Sequence, residues 1–460
     1  MYSLHSAVPK QLLCQLSCLI LLLLSFATAA QTSWLFQNAG VIVGDGEQLD
    51  SADVLIVDGQ ITAIGRGLEQ AAVADSTAVI DLSGKWLMPA LIDGHAHLGY
   101  QSRSSWGADN YGLANLEDNL RQYAYYGFGA VFSAGSDPAG LGQELQQHIA
   151  MEQDLPEFLF AAGMAPPGQG PNNQFLVHTS QVEAKTGMTI LSGLENPEEA
   201  RGAVAEAAEK GVKFIKIWVD DRGGTQLKLS PAIYRAVIEQ ARSLDLKVFV
   251  HQQTALDMSD LIDAGVHGFL HGRIGAEFTS ALAQQGKVAG VFVIPNLGLG
   301  ELRGEAIGDD TFLRPFLSVE LREQLGVSAN RSALPERDGW VETELRAGFD
   351  RIEEANLDLV LGTDAGAVPG HPFGYTGHRE LEIFVRLGMT PMSALMTATG
   401  NAAKHLELDD LGLVAVGKRA SLLVLDANPL TDIRNTRAIH AVYLNGRLID
   451  RDAIAASQPN

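Results

Sequence analysis

Apolar runs alternate with helix-forming stretches through the middle of the chain. Short apolar runs bounded by turn residues are typical of buried strands, and the stretches between them are long enough for crossover helices. This alternation predicts parallel βα units, and eight such units predict an α/β fold with a closed (β/α)8 TIM-like barrel. The predicted strands are 87–93, 129–133, 157–162, 212–219, 247–250, 266–270, 291–295 and 357–362.

Three of the predicted helices begin at a capping residue followed by proline. These capping residues are Asn196, Ser230 and Thr390, whose side chains can accept a hydrogen bond from the first helical turn. Two connections, 163–180 and 298–340, are too long for simple crossovers. Long loops in a compact domain are often functional, so we expect them to form a lid or a wall that limits substrate choice.

Hairpin patterns occur at both ends of the chain. Between residues 34 and 79, short apolar runs are separated by Asp-Gly pairs at 45–46 and 58–59, which tolerate the positive φ of tight turns. Similar runs return at 421–425 and 441–446. We expect the two ends to join into one small β-domain, with the barrel inserted between them. The predicted bounds are 31–86 and 406–460 for the β-domain and 87–405 for the barrel.

Residues 1–30 have the pattern of a secretory signal peptide. Lys10 precedes an apolar core at 19–24, and small residues at Ala27 and Ala29 suit cleavage. The alternative is an uncleaved membrane anchor, but the apolar run is short for a bilayer span. We therefore expect a secreted, periplasmic protein that keeps no stable membrane anchor after cleavage.

Charge and cysteine content narrow the possible partners and ligands. The chain has 33 Lys+Arg and 55 Asp+Glu, a net charge of -22, and loss of Lys10 with the signal peptide would make it -23. This acidic balance argues against nucleic acid or anionic membranes as partners. Both cysteines, Cys14 and Cys18, lie in the predicted signal peptide. A metal site in the mature chain would therefore use histidine, carboxylate or modified lysine.

Six polar side chains stand in or just after five of the predicted strands. A barrel of this type carries its chemistry at the carboxyl ends of its strands, so these side chains are expected to converge there. Each has an ordinary explanation when taken alone, such as a core histidine, a lysine reaching to solvent or an aspartate that caps a helix. Together they predict a metal site. The six are His95, His97, Lys216, His251, His271 and Asp364.

Four motifs resemble those of the amidohydrolase superfamily, and the resemblance covers nearly the whole mature chain. They are MPALIDGHAH at 88–97, FIKI at 214–217, GTDAG at 362–366 and GKRASLLVL at 417–425. The resemblance implies a distorted (β/α)8 barrel with a composite β-sandwich domain built from both termini. Two positions depart from the family pattern: Ala90 replaces the usual glycine and Ser421 the usual aspartate, and neither is a ligand position.

The same resemblance implies two divalent metal ions. His95, His97 and Asp364 would hold one ion, and His251 with His271 the other. Lys216 would bridge them as a carbamate formed with carbon dioxide. An apolar strand should lower the pKa of this lysine and supply the neutral amine that captures carbon dioxide. Zinc suits a set so rich in imidazole, although iron, manganese or cobalt fit the same ligands.

A site of this kind is expected to hydrolyse C–N bonds in a small-molecule amide, dipeptide or cyclic amide. A metal-bridging hydroxide would be the nucleophile, and Asp364 the proton shuttle. Among loop residues, Arg273 could clamp a substrate carboxylate, and Tyr375 or His378 could assist at the oxyanion. The resemblance is to exported dipeptidase and prolidase-like or imidazolonepropionase-like enzymes.

Two alternatives and the state of assembly stay open at this point. The same activated water could attack a lactone or another ester, which would make the protein an ester hydrolase. A catalytically silent binding protein on the same fold would be expected to have lost ligands, whereas all six positions are filled. The sequence also leaves open whether the chain forms a homo-oligomer.

Overall fold

The computed structural model describes residues 33–68, 77–152, 154–302, 305–326 and 342–457. The predicted signal peptide, 1–30, lies outside these residues, and so does part of the predicted long connection 298–340. Within the described residues, the fold is α/β, with one parallel sheet, a second sheet and helices around them. None of the described helices is both long and apolar enough to cross a bilayer.

The strands and helices are numbered here in chain order. The strands are β1 Ser33–Ile42, β2 Gln48–Val57, β3 Gln60–Gly65, β4 Thr77–Asp81, β5 Trp86–Pro89, β6 Leu91–Ala96, β7 Phe128–Ser133, β8 Glu157–Ala165, β9 Leu191–Gly193, β10 Phe214–Trp218, β11 Lys247–His251, β12 Gly268–Leu270, β13 Phe292–Ile294, β14 Asp358–Leu359, β15 Leu422–Leu425, β16 Ile439–Leu444 and β17 Arg447–Leu448. The helices are α1 Leu113–Tyr125, α2 Ala139–Glu152, α3 Asn173–Thr186, α4 Pro197–Glu209, α5 Pro231–Ser243, α6 Met258–Ala264, α7 Ser280–Ala289, α8 Gly298–Glu301, α9 Val319–Gly326, α10 Glu342–Ala355, α11 Tyr375–Arg386, α12 Pro391–Thr397, α13 Gly400–His405 and α14 Arg451–Ala456.

The three predicted helix starts are present. Asn196 caps α4, and its side chain accepts hydrogen bonds from the backbone N–H groups of Glu198 and Glu199. Thr390 caps α12 by accepting from the N–H of Ser393. Ser230 precedes α5 without such a side-chain bond, so proline at the first helical position is the remaining start signal there.

One sheet contains strands from both ends of the chain. Its order is β17-β16-β15-β5-β1-β2-β3, with β4 also paired to β1. Strand β5 runs parallel to β1 and antiparallel to β15, so it links the two terminal segments through backbone hydrogen bonds. The expected joining of the two ends thus takes place within one sheet, whereas a sandwich of two packed sheets stays a prediction.

The second sheet is parallel and curled, with the order β14-β13-β12-β11-β10-β8-β7-β6. Its β-ladder ends at β14, but the chain after β14 returns to β6. The N–H of Gly94 donates to the carbonyl of Leu361 (2.8 Å), and the N–H of Asp364 donates to the carbonyl of His95 (2.7 Å). The first strand therefore lies beside the segment after the last one, as in a TIM-like barrel.

The first predicted strand, 87–93, is divided between the two sheets. Residues 86–89 form β5 in the terminal sheet, and β6 begins at Leu91 in the parallel sheet. Pro89 has no N–H group to donate to a ladder, and the N–H of Ala90 donates instead to the carbonyl of Ser421. One continuous apolar run thus serves two sheets. The short β9, which pairs with β8, was not predicted.

The buried carboxylate of Asp93 joins β6 to the segment that carries Asp364. It accepts hydrogen bonds from the hydroxyls of Tyr123 (2.7 Å) and Thr363 (2.6 Å), and from the backbone N–H groups of His95 and Thr363 (both 3.1 Å). Burial raises the pKa of Asp93 to about 6, although the four hydrogen bonds oppose that rise. Asp93 therefore holds the first strand against the segment after the last one.

We expect Asp93→Ala to lower the free energy of unfolding by about 3 kcal/mol or more, because four buried donors lose their acceptor at once. Tyr123→Phe is the matched control. It removes one of the four bonds and should cost about 1 kcal/mol. Urea unfolding of the three proteins measures both effects. Unfolding of Asp93→Ala at the wild-type urea concentration would contradict this role.

Candidate metal centre

The six predicted ligands lie in or just after the strands of the parallel sheet, and all are buried. They belong to five strands, and these are the five strands at which the sequence pattern placed them. The positions are His95 in β6, His97 directly after β6, Lys216 in β10, His251 at the end of β11, His271 directly after β12 and Asp364 beyond β14.

The carboxylate of Asp364 is the centre of this group. Its Oδ1 lies 3.3 Å from Nε2 of His95 and 3.1 Å from Nε2 of His97, and its Oδ2 lies 3.7 Å from Nε2 of His271. Nζ of Lys216 lies 3.4 Å from Nε2 of His95. The ring of His251 lies 4.7 Å from the ring of His271, centroid to centroid. The structure therefore brings all six side chains together.

Left-handed backbone turns form part of this rim. His271, Asn296 and Asp364 have φ angles of 62°, 50° and 59°. Residues other than glycine seldom adopt such angles, and strained positions of this kind concentrate at functional sites. Each of the three residues comes one to five positions after a strand of the parallel sheet. The left-handed turn therefore changes the direction of the chain close to the predicted ligands.

Burial keeps three of the imidazoles neutral. It lowers the pKa values of His95, His251 and His271 well below the usual value, and nearby Lys216 lowers each of them further. A neutral imidazole retains one nitrogen lone pair, which is the form that binds a metal ion.

Lys216 and Asp364 are shifted in ways that also suit metal binding. Burial lowers the pKa of Lys216 to about 7, so a large fraction of neutral amine exists near neutral pH. Burial alone would raise the pKa of Asp364, but His95, His97 and Lys216 favour the anion, and the net pKa lies below the usual value. The centre therefore combines a carboxylate, neutral imidazoles and a readily deprotonated amine.

Two polar side chains outside the predicted set orient the histidines. Oδ1 of Asn296 lies 3.0 Å from Nδ1 of His95 and also accepts from the backbone N–H of His271. This bond assigns the proton of His95 to Nδ1 and leaves the lone pair of Nε2 facing Asp364. Asn296 follows β13 by two residues, so the strand-end rule applies to it. It was nevertheless not among the residues predicted from the sequence.

Asp220 orients His251 in the same way. Its Oδ2 lies 3.0 Å from Nε2 of His251 and 3.1 Å from Nε of Arg222. The carboxylate assigns the proton of His251 to Nε2 and leaves a lone pair on Nδ1. In the sequence, Asp220 could only be placed in the loop after the fourth barrel strand, since nothing in the pattern shows which loop residue turns inward.

The residues present fit divalent metal ions. Donor atoms of His95, His271 and Asp364 lie within 4.8 Å of one another. Oδ1 of Asp364 and Nδ1 of His97 are buried and have no hydrogen-bond partner, although buried polar atoms are normally paired. Imidazole nitrogens and a carboxylate that converge without donors between them form a set that a cation would satisfy.

A cavity of about 370 Å³ opens directly above this centre. Its walls include the side chains of His97, Lys216, His251, His271 and Asp364. Apolar side chains of Phe175, Trp218, Leu299 and Val368 complete much of the lining. Phe175, in the first turn of α3, packs edge-on against His97 with ring centroids 4.8 Å apart. Part of the long connection 163–180 thus forms a wall of the cavity.

The three predicted substrate residues have different surroundings. Arg273 lines the cavity and hydrogen-bonds to Gln253. The structure does not bring Tyr375 and His378 to that cavity. The hydroxyl of Tyr375 donates to Asp310 (2.8 Å). The ring nitrogens of His378 lie 2.9 Å from the carbonyl oxygen of Tyr126 and 3.0 Å from Oγ1 of Thr436. Helix α11 therefore directs both side chains into packing contacts.

Several known proteins are similar to this chain over most of its length. An imidazolonepropionase of Deinococcus deserti is 25% identical over 423 residues, which covers 86% of this chain and 91% of that protein. A 5-methylthioadenosine/S-adenosylhomocysteine deaminase of Halalkalibacterium halodurans is 22% identical over 422 residues, covering 85% and 84%. The crystal structure of a Xaa-Pro dipeptidase with bound methionine in the active site has a TM-score of 0.69 at 22% identity, covering 91% of this chain and all of that one.

The family model for the amidohydrolase family matches residues 86–449, which include every strand of the parallel sheet and every residue of the candidate centre. This match covers most of the sequence and agrees with a parallel sheet that carries polar side chains at its strand ends. The chain therefore belongs to the amidohydrolase family.

Proposed function

We propose that the protein is a binuclear metal-dependent hydrolase of C–N bonds in small-molecule amides, including dipeptides and cyclic amides. The observation that carries the proposal is the convergence of three imidazoles on one buried carboxylate at the floor of a cavity. The relatives named above include a deaminase, an imidazolonepropionase and a Xaa-Pro dipeptidase, whose names all describe chemistry at carbon–nitrogen bonds.

The ligands would divide into two groups around Lys216. His95, His97 and Asp364 would hold one ion, and His251 with His271 the other. Lys216 would join the two groups as a carbamate, formed when its neutral amine adds to carbon dioxide and loses a proton. The lowered pKa of Lys216 and its 3.4 Å distance from Nε2 of His95 support this role. Zinc is the proposed metal because imidazole predominates among the donors.

The chemistry that two divalent ions supply when bound is activation of a water molecule and polarisation of the scissile carbonyl. Asp364 would accept the proton that this water releases and donate it to the leaving nitrogen. Its carboxylate is suited to that transfer because it is buried yet ionised, with one oxygen that has no hydrogen-bond partner. The wall formed by Phe175 and Trp218 would limit access of bulk water.

We expect elemental analysis of the purified protein to find about two divalent ions per chain. The double variant His95→Ala/His97→Ala should retain at most one, because one of the two ligand groups is then lost. His148→Ala is the control, since this histidine on α2 faces Glu117 away from the centre and its loss should leave metal content unchanged. A wild-type protein that is fully active without metal would refute the binuclear proposal.

Lys216→Ala should lose the bridge and most of the activity, since the carbamate proposed to join the two ligand groups can no longer form. Short carboxylic acids such as acetate or propionate should restore part of the activity by occupying the vacated space. Sodium chloride at the same ionic strength serves as the control and should restore none. If Lys216→Ala keeps two metal ions and the wild-type kcat, the lysine is only a strand residue.

A hydrolysis screen of the metal-loaded protein against dipeptides, N-acyl amino acids, cyclic amides and lactones tests the reaction class. We expect turnover of amides, and Asp364→Asn should lower kcat by about a hundredfold or more, because asparagine cannot accept the proton. Metal content is measured first, so that ligand loss and proton transfer are separated. Turnover of lactones alone would instead establish the ester hydrolase alternative.

A further inference from the structure

Glu380 of helix α11 is a fully buried carboxyl group that lies outside the set of six predicted ligands. Its Oε1 accepts a hydrogen bond from the backbone N–H of Leu297 (2.8 Å), and its Oε2 accepts one from the N–H of Gly298 (2.5 Å). The side chain thus holds two successive peptide groups of the segment that follows β13.

These two peptide groups come directly after Asn296. The N–H of Leu297 belongs to the peptide bond that joins residues 296 and 297, so its bond to Glu380 restricts rotation about ψ of Asn296. The φ angle of Asn296 is 50°, in the left-handed region. Residues other than glycine seldom adopt this conformation, and it persists where surrounding contacts enforce it. Glu380 supplies such contacts on the carboxyl side of Asn296.

The side chain of Asn296 carries this restraint to the candidate metal centre. Its Oδ1 lies 3.0 Å from Nδ1 of His95 and accepts a hydrogen bond from the backbone N–H of His271 (3.2 Å). A change in the backbone angles of Asn296 would move Oδ1 relative to both histidines. Glu380 is therefore connected to His95 by hydrogen bonds that pass through one residue in a strained conformation.

The surroundings of Glu380 make its ionised form costly. Burial raises the pKa of Glu380 to about 8, with the carboxylates of Glu301 and Asp93 adding to the rise and the two N–H bonds opposing it. A glutamine in its place would be neutral and of similar size, but its amide nitrogen donates hydrogen bonds and could not accept the second N–H. The carboxylate is therefore the side chain that accepts from both peptide groups at once.

We propose that Glu380 is a positioning residue for the metal centre, which holds the peptide groups after Asn296 and so keeps the Asn296 amide directed at His95 and His271. The inference rests on the function proposed above, because it takes these two histidines as metal ligands. Helix α11 thus acts on the centre through the chain segment after β13.

The test measures metal affinity, which does not depend on a substrate. Dissociation constants for Zn²⁺ are obtained by competition with a chelator at about pH 9, where the wild-type carboxyl group is ionised. Glu380→Gln is expected to weaken Zn²⁺ binding about tenfold, and Asn296→Ala by about tenfold or more, as for other groups that orient ligand histidines. The double variant should bind as weakly as Asn296→Ala alone, because both changes act through the same side chain.

The absorption spectrum of the Co²⁺-loaded protein provides a second readout. The visible bands of Co²⁺ depend on the geometry of its ligands, so Glu380→Gln should shift them or change their intensity. A substitution that only lowers the stability of the fold would leave the spectrum of the folded protein unchanged.

Glu382→Gln is the matched control. It removes a carboxylate from the same helix two residues later, and Glu382 pairs with Arg437 (2.5 Å) in place of a bond to residues 297 and 298. Its Zn²⁺ affinity and Co²⁺ spectrum should equal those of the wild type.

Gly298→Ala tests the same contact from the other side. A Cβ at this position would lie 2.9 Å from Oε2 of Glu380, so the carboxylate would have to move. Weaker Zn²⁺ binding is expected here too, and this variant decides the question if Glu380→Gln does not fold.

Wild-type affinity and spectrum in Glu380→Gln would overturn the positioning role and leave the hydrolase proposal intact. Additive losses in the double variant would overturn it as well, since Glu380 would then act by another route. The expected losses in a protein that hydrolyses no amide in the screen would support the positioning role and refute the hydrolase. A wild-type protein that binds neither Zn²⁺ nor Co²⁺ would overturn both.

Discussion

The hydrogen-bonded carboxylate of Asp93 is the interaction on which the position of the candidate centre depends. Four donors from three parts of the chain meet at this one buried group. Two of them belong to Thr363, the neighbour of Asp364, and one is the N–H of His95. The ligands at opposite ends of the parallel sheet are therefore brought together by a side chain that is not itself a ligand.

Burial of ionisable groups determines the chemistry that this centre can perform. Charged groups inside a protein are costly unless they are paired. Burial limits that cost by keeping His95, His251 and His271 neutral and by lowering the pKa of Lys216 to about 7. Asp364 stays ionised because its close contacts with His95, His97 and Lys216 outweigh its burial. The result is a set of lone pairs directed at a common region with few donors among them, an arrangement that divalent cations would stabilise.

Asp220 connects a histidine of the metal centre to an arginine of the cavity wall. One of its oxygens faces both His251 and Arg222. The orientation of a predicted ligand histidine and the position of a guanidinium group in the cavity wall therefore depend on the same carboxylate. Asn296 has the same orienting role for His95, and its Oδ1 also accepts a hydrogen bond from the backbone N–H of His271. These two side chains orient histidines that the strands present.

Local pattern alone indicated much of the architecture and the chemistry of this chain. Apolar runs and capped helix starts predicted the parallel sheet, because burial of a strand on both faces requires continuous apolar sequence. The strand-end positions of His95, His97 and Asp364 followed from the same rule. The division of residues 86–96 between two sheets could not be predicted in this way, because it depends on which distant strand each half pairs with.

The tertiary structure decided which polar loop residues belong to the centre. Asp220 and Asn296 look like ordinary loop residues in the sequence, and only the closing of the sheet brings them to His251 and His95. His378 shows the reverse: its position after the last strand suggested a role at the substrate, but the direction of its helix buries it against Tyr126. Strand ends can be read from local periodicity, whereas the direction of a loop side chain depends on contacts between residues far apart in the chain.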